Sequence, residues 1–392
     1  MKISNKYAIE AIVFTSYVLF AMAWVGGTSS MSQIMASMSV DSLASASFIS
    51  GAVSFAKIVG TFLAAWIAVK VGIKMAFFIS SLLVVVGFLT PIASNYEVLL
   101  FSRFLMGLGG ALMIVYFNPI VMKWFSVEER STINGLNAVA FNVGTAIILS
   151  SMIEINLFTG GWQNSLLLFS ICSLVLAVLW LLVDWQSENK GEAGNDETPV
   201  EHFSYLDGLK DKFTWAYALC YSGLLAFYIC LFTFYPKAGI QASSWVIWFG
   251  ILGTIAGMIY SRKIKQRIPV IRWSGLVQVL TICGLTFSGS ALVQLICAMI
   301  LGFFVFLPIT ALVTIPHELK GMTPQKITVV FSFFWSISYL IATLVLWVFG
   351  YLVDVWSGDY FYAFVLITVL SSSFFLGSFF LPETNPKNKE TV

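Results

Sequence analysis

Charge is scarce in this sequence: 10% of the 392 residues are charged and 59% are hydrophobic, where a soluble globular domain carries roughly a quarter charged residues. That shortage excludes a soluble fold and makes lipid the solvent for most of the chain. Histidine is nearly missing, with only His202 and His317. No His-x-x-x-His pattern, no paired carboxylates within a helix and no phosphate-cradling Gly-Lys-Ser motif occurs, which argues against a membrane-embedded enzyme. The five cysteines, Cys172, Cys220, Cys230, Cys283 and Cys297, lack metal-type spacing and read as packing residues. No metal and no cofactor is therefore expected. The net charge of +2 comes largely from loops between apolar runs and calls for no nucleic acid.

What the chain does have is apolar runs of bilayer-spanning length, one after another. Reading them between charged or turn-rich breaks predicts twelve spans, over 7-29, 45-68, 75-94, 98-122, 133-153, 163-184, 214-236, 243-261, 270-289, 291-315, 327-350 and 359-381. No length remains for a soluble output domain. Lys2 and Lys6 before an apolar run imitate a signal peptide, but the run continues through Trp24 and Gly27 to spanning length, so a first transmembrane helix is expected.

Basic residues fix the orientation, because cytoplasmic loops keep Lys and Arg while translocated loops lose them. With the N-terminus inside, the cytoplasmic segments collect Lys2, Lys6, Lys70, Lys74, Lys123, Arg130, Lys190, Lys210, Lys212, Arg262, Lys263, Lys265, Arg267, Arg272, Lys320, Lys326, Lys387 and Lys389. Of the 21 basic residues only Lys57 and Arg103, within spans, and Lys237, in an outer loop, fall elsewhere. The pattern predicts a multi-pass inner-membrane protein with both termini cytoplasmic.

A polar stretch over 186-212, rich in Glu and Asp, reads as a cytoplasmic linker. It divides the chain into an N-terminal six-helix bundle, 1-185, and a C-terminal one with a short tail, 213-392. A weak repeat supports two pseudo-symmetric halves: Gly60-Thr61 precedes Lys70 in the second span as Gly253-Thr254 precedes Lys263 in the eighth.

Several motifs together resemble the major facilitator superfamily. Ala65-Trp66-Ile67-Ala68-Val69-Lys70-Val71-Gly72-Ile73-Lys74 stands where that family carries Gly-x-Leu-Ala-Asp-Arg-x-Gly-Arg-Lys; Ala68, Lys70, Gly72 and Lys74 fit. Ala65, Val69 and Ile73 depart from it and call the usual charge-relay latch of this loop into question. Arg103-Phe104-Leu105-Met106-Gly107-Leu108-Gly109 looks like the family's Arg-x-x-x-Gly-x-Gly. Trp124-Phe125 with Glu128-Glu129-Arg130, and Leu381-Pro382-Glu383-Thr384, resemble the next inner loop and the exit from the last helix. Asn142-Val143-Gly144-Thr145 replaces the Gly-Pro motif of proton-driven drug exporters. Pro316-His317-Glu318-Leu319 through Thr323-Pro324 to Phe333-Phe334-Trp335-Ser336 resembles the cyanate-permease branch, associated with small anions. The resemblance implies an all-α fold of twelve transmembrane helices in two six-helix bundles, working as a monomer by alternating access, with substrate held near the bilayer midplane.

Candidate site residues are polar or aromatic groups that share a helix face at steps of three, four or seven. Ser47, Ser50, Ser54, Lys57 and Thr61 form one stripe with an ammonium at mid-span, where a Lys costs roughly 2.5–3.5 kcal/mol and so faces a cavity or a partner. Arg103 is the second deep cation; it can hold a carboxylate bidentately or serve coupling and packing. Glu10, Tyr17 and Trp24 recur every seven residues, and Glu10 reads either as a solvated helix-start carboxylate or as a protonatable gate. Lys70 is a gating candidate at the loop.

Tyr221 and Tyr228 in the seventh span, Phe303 in the tenth, Ser336 and Tyr339 in the eleventh, and Asn118 beside Pro119 in the fourth complete the substrate-binding set. Helix packing also accounts for any one of these stripes. Pro119 and Pro308 mark places for a bend.

Lys57 and Arg103 without a mid-depth acid give a positive cavity. The function expected is a secondary carrier of a small organic or inorganic anion, coupled to protons. The alternative is a carrier or exporter of a quaternary-ammonium or amphipathic solute, caged by Trp24, Tyr221, Tyr228 and Tyr339.

Overall fold

The computed structural model describes residues 3–185, 205–264 and 266–384, which are helical apart from turns and an isolated backbone bridge between Ile3 and Val183. In chain order the first helices are α1 (Lys6–Ser29), the short α2 (Met31–Met38) and α3 (Leu43–Ala46), and α4 (Phe48–Val85), which runs into a 3-10 turn over Val86–Leu89. Next come α5 (Tyr96–Trp124), α6 (Val127–Thr159) and α7 (Trp162–Leu181). The rest are α8 (Tyr205–Lys210), α9 (Lys212–Phe234), α10 (Ser243–Lys263), α11 (Ile268–Phe287), α12 (Ala291–Phe306), α13 (Ile309–Glu318), α14 (Pro324–Val355), α15 (Phe361–Ser371) and α16 (Ser373–Gly377).

Side chains accept the amide groups that a first helical turn leaves free. Asn5 accepts from the Tyr7 and Ala8 amides at the start of α1, Asn95 from Val98 at α5, and Asp211 from Phe213 and Thr214 at α9. Ser126 and Glu129 make a capping box at α6. Glu129 also takes the Lys6 ammonium at 2.7 Å, which ties the start of α1 to the start of α6.

Ten helices among the described residues are long and apolar enough to cross a bilayer, and the apolar segments Phe48–Ala64 and Phe361–Gly377 are shorter. Full length is thus reached at ten rather than twelve of the predicted spans. The second and third spans share α4, broken at Gly72, where φ is 77° and ψ 158°. Glycine adopts that backbone freely, whereas residues with a side chain rarely do. Pro308 divides the tenth span into α12 and α13, since it has no amide to continue the ladder, whereas α5 runs on through Pro119.

Most of the predicted linker, with Lys190 and His202, lies outside the described residues, as do Lys2, Lys265, Lys387 and Lys389. Its last residues are helical: α8 lies inside the predicted 186-212 stretch and α9 begins at its final residue.

The chain forms two compact units, one of Met1–Asp196 with Leu346–Asp354, the other of Glu197–Val345 with Val355–Val392. In the first unit α4 packs along α5, and α1 against α6 and α7. Gly107 and Gly109 of α5 meet α4 on both sides of its break, at Val53 and at Ser80, while Gly110 meets Phe20 of α1. A Cβ at any of the three would overlap its neighbour.

In the second unit α10 packs along α12 and α9 against α15 and α16. The repeated glycines occupy matching contacts. Gly60 lies against Ala111 where α4 meets α5, and Gly253 against the Phe303 backbone where α10 meets α12.

Candidate functional site

The seven-residue spacing on α1 and the polar stripe on α4 converge in the first unit. Lys57 is 4% exposed, and its ammonium lies 3.4 Å from the Tyr17 hydroxyl. Four rings surround it: Trp24 at 5.1 Å from its centroid, Phe141 at 5.4 Å, Phe20 at 5.5 Å and Tyr17 at 5.9 Å. These distances are within the range of cation–π attraction. The rings brace one another: Tyr17 stacks on Phe20 and Trp24 meets Phe141 edge-on. Trp24 Nε1 donates to Ser50 Oγ at 3.0 Å, two steps from Lys57 along the α4 stripe. Ser54 is buried between them and bonds back to the Ser50 carbonyl at 3.4 Å.

Arg103 holds this cluster from behind. Its Nη1 and Nη2 donate to the carbonyls of Ala23 (2.8 Å) and Trp24 (2.6 Å) on α1, and its Nε to that of Ile49 (3.0 Å) on α4. Gly27 makes the approach possible, because a Cβ there would overlap the guanidinium. The geometry makes Arg103 a clamp that joins α1, α4 and α5 through three backbone carbonyls.

Glu10 sits seven residues before Tyr17 and is 4% exposed; it is buried, not solvated. Its polar neighbour is Asn137 of α6, one turn before Phe141. Lys70 is exposed and lies over the Trp66 ring at 4.9 Å. Asn118 accepts from Asn134 at 3.3 Å near the surface. Neither Lys70 nor Asn118 joins the Lys57 cluster.

The second unit carries an aromatic ladder on α9 and α14. Tyr217 and Tyr221 both stack on Phe334, at 4.5 and 5.0 Å. Tyr221 meets Trp335 edge-on and Trp335 stacks on Tyr339. Tyr217 donates its hydroxyl to the Leu312 carbonyl at 3.1 Å, which marks it as structural. Tyr228 packs edge-on against Phe306 and Phe232, Phe303 against Phe304, and Ser336 is buried on α14. Of the proposed aromatic cage, Tyr221 and Tyr339 flank Trp335, Tyr228 belongs to the Phe306 group, and Trp24 is in the Lys57 cluster of the first unit.

Near the α10–α11 turn, Arg267 pairs with Glu318 at 2.6 Å, and Glu383 accepts the Arg267 and Ile268 amides at 2.9 and 3.0 Å. The motif Leu381-Pro382-Glu383-Thr384 therefore caps α11, and Thr384 adds a 2.6 Å bond to Glu318. Phe20, Phe141, Asn137 and Trp335 were absent from the set predicted from sequence. Phe20, three residues after Tyr17 and four before Trp24, was within reach of the same periodicity argument.

The family model described as Major Facilitator Superfamily matches residues 13–343. An uncharacterized protein of Campylobacter jejuni is 26% identical over 316 residues, covering 76% of this chain and 96% of its own length. An uncharacterized protein of Mesomycoplasma hyopneumoniae is 21% identical over 182 residues, 45% of this chain and 38% of that one. Among solved structures, the xylose transporter XylE from E. coli in an inward-open conformation matches with a TM-score of 0.75 at 13% identity, covering 98% of each chain.

Proposed function

The chain belongs to the Major Facilitator Superfamily, a family of transporters of small molecules, and from that premise we propose that it is a secondary carrier of a small anionic organic or inorganic solute, working by alternating access with proton coupling. The observation that carries the anionic assignment is the Lys57 ammonium, buried and ringed by Tyr17, Phe20, Trp24 and Phe141. A buried ammonium in low dielectric attracts an anion far more strongly than one in water. Trp24, Ser50, Ser54 and Tyr17 supply the hydrogen-bonding groups beside it, and Arg103 fixes the backbone that presents them. The resemblance of residues 316-336 to the cyanate-permease branch supports a small anion.

The same reading takes the ten long and two shorter apolar helices as twelve crossings of the inner membrane, with a monomer and both termini cytoplasmic. Reporter fusions at the linker and at the C-terminus should both report the cytoplasm.

The substrate test is a melting-temperature panel on purified protein with anions, siderophores, amino acids and amines, since a ligand that binds the folded state raises the midpoint. An anion should give the largest rise and Lys57→Met should erase it. A rise of the same size in Lys57→Met would remove Lys57 from the site. A second reading, a quaternary-ammonium carrier, draws on the Tyr221, Trp335 and Tyr339 rings of the second unit. It expects a response to an amine that survives Lys57→Met and is lost in Tyr221→Ala or Trp335→Ala.

A further inference from the structure

The buried polar atoms of the first unit include four that face the same need. Both carboxyl oxygens of Glu10, and both the Nδ2 and Oδ1 atoms of Asn137, are buried without a hydrogen-bond partner. The two residues are each 4% exposed, and Asn137 is the polar neighbour of the Glu10 carboxyl. An orphaned polar atom in a protein interior costs on the order of 1–3 kcal/mol, so four at one place ask for an explanation.

The inventory of donors and acceptors decides which form of Glu10 fits. A carboxylate only accepts, so an ionised Glu10 can use the Asn137 amide N–H and nothing else of it; the Asn137 oxygen is left facing a like partial charge. A carboxylic acid both donates and accepts. Its O–H can donate to Asn137 Oδ1 while Asn137 Nδ2 can donate to the other carboxyl oxygen, a pairing that uses all four orphaned atoms at once.

The other ionisable groups on the elements packed against α1 are engaged elsewhere, exposed or distant from Glu10. On α1 itself Lys6 and Tyr7 go to Glu129 of α6, and Tyr17 takes the Lys57 ammonium of α4. Arg130 of α6 donates to the Phe125 and Met122 carbonyls, Glu128 is exposed, and Glu154 is exposed near the opposite end of that helix. On α5, Arg103 is bound to carbonyls, Tyr116 donates to Ala64 O, Lys123 lies over Trp185, and Glu97 is at the far, N-terminal end. On α4, Lys70 lies over Trp66 and Lys74 donates to the Leu181 and Val183 carbonyls. Within α7 the one ionisable group is Cys172.

We infer that Glu10 and Asn137 form an acid–amide pair that takes up and gives back the coupling proton, with Asn137 the positioning residue and the loaded pair neutral. The proton comes from bulk water onto a carboxyl oxygen and returns to it, with no other bond made or broken. The pair lies on the faces that wall Lys57. Glu10 is seven residues, about 10 Å along the helix, before Tyr17, and Asn137 is one turn before Phe141. Loading it discharges the acid on those faces and makes the surroundings of Lys57 more positive, which favours entry of an anion together with a proton.

This inference deepens the proton-coupled reading above and rests on it, yet its test needs no transported solute. Infrared difference spectra of the full chain in lipid, recorded across a pH titration in H2O and D2O, should show a carboxylic-acid C=O band that is distinct from the bands of the exposed carboxyls and appears as pH falls. Glu10→Gln should abolish the band while keeping the fold, because Gln and Asn137 can still pair through two amide hydrogen bonds. Asn137→Leu should move the band to higher frequency, as expected for an acid without a partner; Asn137→Ser serves as the smaller variant if Leu does not fold. Survival of that distinct band in Glu10→Gln, its insensitivity to both Asn137 variants, or its constancy at every pH would each overturn the inference. If the band behaves as expected and no anion raises the melting temperature, the pair stands and the anion reading fails; the reverse pattern leaves the anion site and removes the pair.

Discussion

Arg103 Nη2 lies 2.6 Å from the carbonyl oxygen of Trp24, the residue whose indole forms a wall of the Lys57 cluster and bonds to Ser50. One guanidinium thereby fixes the helix that presents the ring. Arg103→Lys keeps the charge and loses the planar fork, so one nitrogen must replace three donors on Ala23, Trp24 and Ile49. Each charge-assisted bond that is not replaced costs roughly 1.5–3 kcal/mol. A lowered melting temperature is expected, and Gly27→Ala should lower it too by pushing on the same guanidinium. If Arg103 is only a clamp, the variant that still folds keeps a ligand-induced rise in melting temperature.

Lys57→Met should act in the opposite direction on stability. Methionine is similar in length, fits among rings and carries no charge to desolvate. An ammonium buried among rings carries a desolvation cost that an apolar side chain of similar length does not. Groups kept at such a cost are typically functional. The melting midpoint without ligand should hold or rise while the anion response disappears. A clear fall in the midpoint would identify Lys57 as a structural residue.

The helix faces of this site were legible because period alone reveals them: Glu10, Tyr17 and Trp24 at seven-residue steps, and the Ser47 to Thr61 stripe around Lys57. The break at Gly72 was legible too, as a loop between two spans. The walls were not. Where 59% of residues are hydrophobic, Phe20 and Phe141 offer no contrast with phenylalanines that face lipid. Nor could the partners of Arg103 be read, since every residue offers a carbonyl and only the close approach at Gly27 selects Ala23 and Trp24. Asn137 carried a weak signal, a lone amide four residues before an aromatic in an apolar helix, and its pairing with Glu10 required the packing of α1 on α6.

Gly72→Ala isolates a backbone cost. No atom lies within 4 Å of where its Cβ would stand, so the change brings no packing clash, and only the φ of 77° is disfavoured. Holding a non-glycine residue there costs of order 1–3 kcal/mol. The expected result is a fall in melting temperature, with an unchanged difference between liganded and free protein. A midpoint equal to the wild type would mean that α4 re-forms as one continuous helix through residue 72.

Asp354 near the end of α14 accepts three hydrogen bonds at 2.8 Å, from Ser42 Oγ and from the Leu43 and Ala44 amides. Those amides open α3, and a carboxylate placed on a helix N-terminus gains from both the free donors and the helix dipole. Close packing brings it there, because Gly350, one turn earlier on α14, lies against the Ala44 backbone. Asp354→Ala leaves two amides without their acceptor and should cost about 1–2 kcal/mol, whereas Asp354→Asn keeps one acceptor oxygen and should recover part of it. Amide hydrogen exchange at Leu43 and Ala44 should accelerate most in Asp354→Ala and less in Asp354→Asn. Equal exchange in all three proteins would show that the cap contributes nothing to holding α3 in place.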